Sequence, residues 1–304
     1  MSSLVGVDKN LINFSSEPYQ NNKNVISRVF NKKVFTDNNG FRVPKYGYNY
    51  NLNNKSFLIL GDSVGFGVGV NEEESVFGIL RKDFKTINFY NSSVVGYNIK
   101  NYYQVLNKHK SLKNLKDIII FFCINDIHME ESVKLVNEIG TNKGNKFNII
   151  SFLKRNIFLI KINNFLRDKS VLYVWLKNIL SNTSERYFMY SFDSYENKSN
   201  IIPIKKNLEK ITDIAKEYNI KINLIILPYE FQTRGENCTE DYVMPQKEIS
   251  QIVKNLEMNY FDYTDEFCSY EKPSELFLKY DPVHLSKKGH EYVSTLLKRD
   301  VLSK

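Results

Sequence analysis

Ser63 stands in Gly61-Asp62-Ser63-Val64-Gly65, directly after the apolar run 57–60. A serine hydroxyl is a weak nucleophile until a base lies within hydrogen-bond reach. Of the four histidines, His284 has the most suitable company: it follows Asp281 by three positions in Tyr280-Asp281-Pro282-Val283-His284. A turn stiffened by proline can fold that carboxylate onto imidazole Nδ1, leaving Nε2 free as base. His109, in the lysine-rich helix end "LNKHKSLKN", is expected to be exposed. His128 follows a strand end closely and suits either a crevice or a structural role. His290, after Gly289 at the head of a helical pattern, is expected to pack or cap.

Acyl transfer also needs donors for a developing oxyanion. Asn125 follows the run "DIIIFF" (117–122), at the strand end where open α/β sheets place ligands. Gly96, in "NSSVVGYN", can offer an unobstructed backbone N–H. With the Ser63 N–H this makes three donors, each worth about 3 kcal/mol when aimed at the oxyanion. Asp62 and Asp126 are expected to brace loops. Tyr229, Glu230, Gln232 and Arg234, in the loop "LPYEFQTRGEN" after another strand, are candidates to line the pocket; loop packing and a solvated charge explain them equally well.

The glycines of "GDSVGFGVG" invite two other chemistries, and both fail. A phosphate-binding P-loop requires a lysine after its last glycine, and none follows here. A dinucleotide fingerprint requires G-x-G-x-x-G running straight into a helix; glycines at 65, 67 and 69 have a different rhythm. The literal G-x-S-x-G also matches the nucleophile elbow of α/β-hydrolases, but there the serine lies mid-chain. Here it follows the first strong strand.

Positioning these groups requires a sheet. The runs at 57–60, 117–122 and 222–227 have the length and branching of buried parallel strands, and a weaker one lies at 85–90. Helical patterns cover 74–82, 98–112, 206–218, 245–257 and 286–298, so strands alternate with helices in an open, layered α/β domain. Asn71 followed by Glu72, Glu73 and Glu74 reads as a cap with an acid three places on. We expect an irregular extension over 1–55, the α/β domain over 56–129 and 201–304, and a largely helical cap over 130–200. The apolar, Lys- and Arg-studded stretch 147–180 predicts amphipathic helices packed on the domain, with peripheral membrane contact as the alternative.

The formal charge of +8 favours anionic partners, but the lysines are scattered and no nucleic-acid-binding motif accompanies them. No basic start precedes an apolar signal core, and no apolar run reaches membrane-spanning length. Cys123, Cys238 and Cys268 are odd in number, widely spaced and without zinc-site spacing. They predict reduced thiols and a cytoplasmic protein, with the inner membrane face as the alternative. Oligomeric state is not legible.

Together these blocks resemble the SGNH hydrolases, or GDSL-type esterases. Gly61-Asp62-Ser63 looks like the nucleophile block, and Asn91 to Tyr97 is similar to the glycine block. Cys123-Ile124-Asn125-Asp126 is similar to the G-x-N-D block, and Asp281-Pro282-Val283-His284 to the final D-x-x-H. The blocks run in family order across 57–298. Two departures stand out: Cys123 replaces the usual glycine, and the insertion 130–200 exceeds the family core. The resemblance implies a three-layer α/β/α, flavodoxin-like fold and ester cleavage or acyl transfer without metal or organic cofactor. The segment "NNGFRVPKYGYNYN" before the nucleophile resembles a subgroup of polysaccharide and cell-surface glycan pathways. The expected activity is hydrolysis of an O-acetyl ester on a carbohydrate or glycan precursor through an acyl-Ser63 intermediate. Alternatives are O-acyl transfer to a sugar, lipase or thioesterase action on a longer acyl chain, and a non-catalytic glycan-binding or scaffold protein in which Cys123 marks a decayed site.

Overall fold

The computed structural model describes residues 6–128 and 182–303. The four runs read as strands form β6 (Lys55–Gly61), β7 (Ile87–Asn91), β8 (Leu115–Phe122) and β9 (Lys221–Ile226) of an eight-stranded sheet, and β10 (Asn259–Asp262), not read from the sequence, joins them at its edge. They are parallel, in the order β10-β9-β8-β6-β7. Leu58, Ile59, Ile118, Ile119, Ile120, Leu224 and Ile225 have no accessible surface. This is why these strands read as continuous apolar runs rather than alternating ones.

In chain order the parallel strands take the flavodoxin-like sequence 2-1-3-4-5, whose order reverses between β6 and β8. The helices include α1 (Ser63–Phe66), α2 (Val76–Asp83), α3 (Ile99–His109), α4 (Thr183–Glu196) and α5 (Lys198–Tyr218). They continue with α6 (Met244–Val253), α7 (Thr264–Cys268) and α8 (Lys287–Leu297). α2 packs with α8 and α3 with α5, which flank the sheet as a three-layer α/β/α sandwich of the SGNH-hydrolase type.

The stretch 1–55, expected to be irregular, contains a short two-stranded ribbon, β1 (Ile12–Asn13) with β2 (Gln20–Asn21). It also contains β3 (Ile26–Val29), β4 (Lys32–Thr36) and β5 (Arg42–Val43), which extend the main sheet antiparallel beyond β7. Their pattern is hidden because β3 turns Ile26 outward and the polar Ser27 inward. Strand β10 has an equally weak signal: its Tyr260, Phe261 and Asp262 are all half-buried.

The proposed cap falls mostly on residues 130–181, outside the described residues, as does the whole of 147–180. The remaining part, 182–200, holds α4 and the start of α5, with Phe188 and Tyr195 fully buried. Phe188 packs on Phe231 and Tyr242, so this portion belongs to the main core. Among the described residues no helix is long and apolar enough to cross a membrane.

Two expectations are corrected. Cys238 and Cys268 are joined in a disulfide, leaving Cys123 as the free thiol. Their 30-residue separation gave no hint of pairing; they meet because α7 packs on the short 3-10 turn Glu230–Thr233. Disulfides persist in oxidising compartments, so the cytoplasmic expectation loses its cysteine premise. His109 is half-buried rather than exposed, with its ring edge-on to Phe41 at 4.8 Å. Burial first, then Lys108 and Lys23, lower its pKa to about 4.

β5 contributes a buried cation that sequence reasoning did not single out. The Arg42 guanidinium donates to the carbonyls of Phe66, Gly67 and Val70 at 2.7, 2.6 and 2.8 Å. It also pairs with Glu72 at 2.7 Å, and Glu72 in turn pairs with buried Arg81. Arg81 donates back to the Arg42 carbonyl at 3.0 Å and to that of Phe89 at 2.6 Å. The run of glutamates does form its capped turn, with the Asn71 N–H donating to Glu74 at 3.2 Å. Its first acid, however, is the interior counter-ion. Removing one member of a buried ion group strands the others, at a cost of about 3–5 kcal/mol. We expect Arg42→Met to lower unfolding free energy by about that amount in urea titration; a loss below about 1 kcal/mol, the range of an exposed ion pair, would contradict this account.

Candidate active site

The nucleophile candidate owes its place to a strand that stops abruptly. β6 ends at Gly61, Asp62 caps the one-turn helix α1 by accepting the Val64 N–H at 2.8 Å, and Ser63 is the first residue of that helix. The turn must sit tightly on the sheet. A Cβ at Gly65 would lie 2.8 Å from Ser93 Oγ, so a side chain there would push α1 off the segment that follows β7. Asn91 at the end of β7 donates to the Gly65 carbonyl at 3.0 Å. Gly67 closes the helix in the left-handed conformation, φ 86°, and its carbonyl is one that Arg42 holds. The glycine rhythm that fits no phosphate cradle is that of a compact elbow.

The last parallel strand and its following loops bring the base. Asp281 Oδ1 accepts the N–H groups of Val283 and His284 at 2.9 and 2.8 Å, closing the turn on itself. Asp281 Oδ2 then lies 2.8 Å from His284 Nδ1, and His284 Nε2 lies 2.9 Å from Ser63 Oγ. With the imidazole proton on Nδ1 and donated to Asp281, Nε2 accepts from the serine hydroxyl. Asp62 Oδ2 is a poorer acceptor for that hydroxyl, at 3.3 Å.

The charges suit these positions. Burial lowers the His284 pKa, but the hydrogen bond and charge of Asp281, aided by Asp62, outweigh it and hold it above the ordinary 6.5. Burial raises the Asp281 pKa, yet the His284 hydrogen bond and charge and two backbone N–H groups bring it below 3.8. The pair therefore favours an ionised carboxylate beside an imidazole that takes up a proton readily.

Asn125 stands on the 3-10 turn Ile124–Ile127 after β8, across the order reversal from Ser63. Its backbone N–H donates to the Tyr229 hydroxyl at 3.1 Å, while its side-chain Oδ1 makes no hydrogen bond among the described residues. The side chain is thus not spent on bracing its own loop. Gly96 turns the chain beyond β7 with φ 84°, inside a turn closed by the Tyr97 N–H on the Val94 carbonyl at 3.1 Å.

Cys123, the departure from the glycine of the block, points its thiol at Asp62 Oδ1 at 3.4 Å. It ties the loop after β8 to the nucleophile turn. Asp126 accepts the Cys123 N–H at 2.9 Å and the Tyr102 hydroxyl at 3.0 Å. Burial, then the charge of Asp62, pushes its pKa well above the carboxylate range. Burial likewise raises Asp62, against the opposing Val64 N–H and His284 charge.

The loop after β9 divides by helical spacing. Tyr229 and Gln232 turn inward and are fully buried; Gln232 accepts the Tyr229 N–H at 2.9 Å and donates to the Tyr242 carbonyl at 2.8 Å. They support the loop instead of lining a pocket. Glu230 and Arg234 turn outward and pair at 2.9 Å. They line a groove of about 940 Å³ with Asn182, Ser184, Tyr280 and Asp281. The groove reaches the site through Asp281; Ser63 and His284 are not among its described lining residues. His128 stacks on Tyr190 at 4.7 Å, with its carbonyl accepting from Asn98 at 3.3 Å. His290 is buried beneath the elbow and caps α2 by accepting the Val76 N–H at 3.4 Å. Burial first, then Arg42 and His284, lower its pKa to about 3.

No family model matches the chain, and no curated protein does. Solved structures similar to it include the acetyl xylan esterase AlAXEase, at 14% identity and TM-score 0.48, covering 81% of this chain and 99% of that one. Another is the psychrotrophic esterase EstA from Pseudoalteromonas sp., inhibited by monoethylphosphonate, at 13% identity and TM-score 0.46, covering 82% and 98%. A third is the lipase/acylhydrolase from Enterococcus faecalis, at 14% identity and TM-score 0.45, covering 82% and 96%.

A base must be neutral to accept the serine proton, and His284 is held above 6.5. Esterase kcat/KM should therefore rise with pH through a midpoint above 6.5 and be lost below it as the imidazole charges. In Asp281→Asn the raising partner is gone and burial dominates, so the residual activity should titrate at lower pH. A wild-type midpoint below 6.5, or one unmoved by Asp281→Asn, contradicts these roles.

Proposed function

We propose that the protein is a serine hydrolase of carboxylic esters, and that its preferred substrate is an O-acetyl ester on a carbohydrate. The observation that carries the reaction class is the continuous chain Ser63 Oγ, His284 Nε2, His284 Nδ1, Asp281 Oδ2, with contacts of 2.9 and 2.8 Å. In this reading His284 takes the serine proton as Oγ attacks the ester carbonyl. Asp281 steadies the imidazolium, and the N–H groups of Ser63 and Gly96 with the Asn125 amide receive the oxyanion. His284 then returns the proton to the leaving alcohol, and water, activated by the same imidazole, releases the acid from acyl-Ser63. If a sugar hydroxyl replaces water, the same steps transfer the acyl group. A place in a polysaccharide or cell-surface glycan pathway accords with this chemistry.

The carbohydrate preference is supported by the groove at Asp281. Its walls carry a polar network, in which Ser184 donates to Glu230 and Arg234 donates to Glu230 and Asn182, beside the 82% exposed Tyr280. Polar groups converging beside an exposed aromatic ring suit a sugar more than an alkyl chain. Nitrophenyl esters of increasing acyl length separate the two. Acetyl should be hydrolysed with at least tenfold higher kcat/KM than octanoyl, on the scale at which pocket fit discriminates alkyl groups. A preference for octanoyl would overturn the acetyl assignment and favour lipase or thioesterase action.

A further inference from the structure

The tip of the β3–β4 hairpin lies at the imidazole, although both strands are at the far edge of the sheet. Phe30 occupies that tip with its ring centroid 5.9 Å from that of His284, tilted by 50°. Its backbone is left-handed, φ 48°, and so is that of Asn31, φ 63°. A two-residue hairpin turn of this form is ordinarily built from Asn, Asp or Gly. A phenylalanine there is strained, and such strain persists where surrounding structure holds it, often at functional sites.

The surroundings do hold it. The Phe30 N–H donates to the Gly6 carbonyl at 2.6 Å, and Val7 bridges Val29 beside it. One side of the ring rests on Gly6, where a Cβ would come within 3.0 Å of ring carbons. Yet the residue remains 41% exposed. A large apolar side chain is thus fixed against the base, in an unfavourable conformation, without being buried for its own sake.

The proposed mechanism says what passes that place. His284 Nε2 delivers its proton to the leaving oxygen, so the alcohol half of the ester must lie beside the imidazole. Resting on the reading of the site as an esterase, we infer that Phe30 is a specificity-determining wall for the alcohol half, receiving a flat, carbon-rich face such as that of a pyranose or another cyclic alcohol. The N-terminal hairpin is then part of the substrate site.

Three acetate esters test this: ethyl acetate, cyclohexyl acetate and a 6-O-acetylated methyl glucopyranoside. All share one acetyl-enzyme, so a difference in kcat/KM between them reports the alcohol half alone. Phe30→Ala should lower the ratio of ring ester to ethyl acetate about tenfold, a shift within the range set by pocket contacts. Phe30→Tyr, which keeps a ring, should restore most of it. Asn31→Gly, which eases the turn but keeps Phe30, should leave the ratio unchanged. A fall confined to the glucopyranoside supports the wall and assigns it to a sugar; one confined to cyclohexyl acetate supports it and assigns it to an apolar alcohol. Equal changes for all three esters, or none, overturn the inference while leaving the esterase reading intact. A folded wild-type protein that cleaves none of them overturns the acetyl-ester reading, and this inference with it.

Discussion

A single hydrogen bond, 2.9 Å from Ser63 Oγ to His284 Nε2, joins residues 221 positions apart. Its length tolerates little error, so the two loops that form it must be fixed independently and each to within a fraction of an ångström. The parallel sheet does this from below. β6 ends at the nucleophile and β8 at Asn125, side by side across the reversal of strand order, where the loops diverge and leave a crevice. From above, the Asp281 turn fixes itself by accepting two of its own N–H groups before it engages the imidazole.

The elbow has a further restraint from an unexpected direction. A four-residue helix has too few internal bonds to hold its own shape. Its carbonyls at Phe66 and Gly67, left over at the helix end, are taken by the buried Arg42, whose charge is balanced by Glu72. Burial of those charges is offset by the Arg42–Glu72–Arg81 ion pairs and by the backbone carbonyls to which both guanidiniums donate. β5 carries this guanidinium, and the β3–β4 turn carries Phe30 to the imidazole. The antiparallel arm is thus tied to both the nucleophile and the base.

What was legible in the sequence followed from burial on both faces. β6, β8 and β9 are apolar along their length because helices cover both sides of the sheet, and their alternation with helices indicates a layered α/β domain, while the flavodoxin-like strand order came only with the resemblance. The catalytic candidates were legible because Asp281 and His284 lie within one turn, and Ser63 and Asn125 stand directly at strand ends. The antiparallel arm was not, because Ser27 faces inward and Ile26 outward, inverting the usual alternation. Nothing in the sequence singles out Arg42; only the fold shows that it is wholly buried. The outward and inward halves of the 229–234 turn also required coordinates, since loop composition does not say which side faces the groove. The pairing of Cys238 with Cys268 depends on α7 docking, which no local pattern announces.

Cys123 carried the argument for a decayed, non-catalytic site. Its thiol instead lies on Asp62, the residue that caps the nucleophile helix, and the hydrogen-bonded chain through His284 is complete beside it. The most direct test of the central claim is covalent labelling of the folded protein with a serine-directed alkyl phosphonate, read by intact mass and peptide mapping. The account predicts one phosphonyl group per chain, on Ser63, and none in Ser63→Ala. A folded wild-type protein that stays unlabelled, or that is labelled equally after Ser63→Ala, would contradict it.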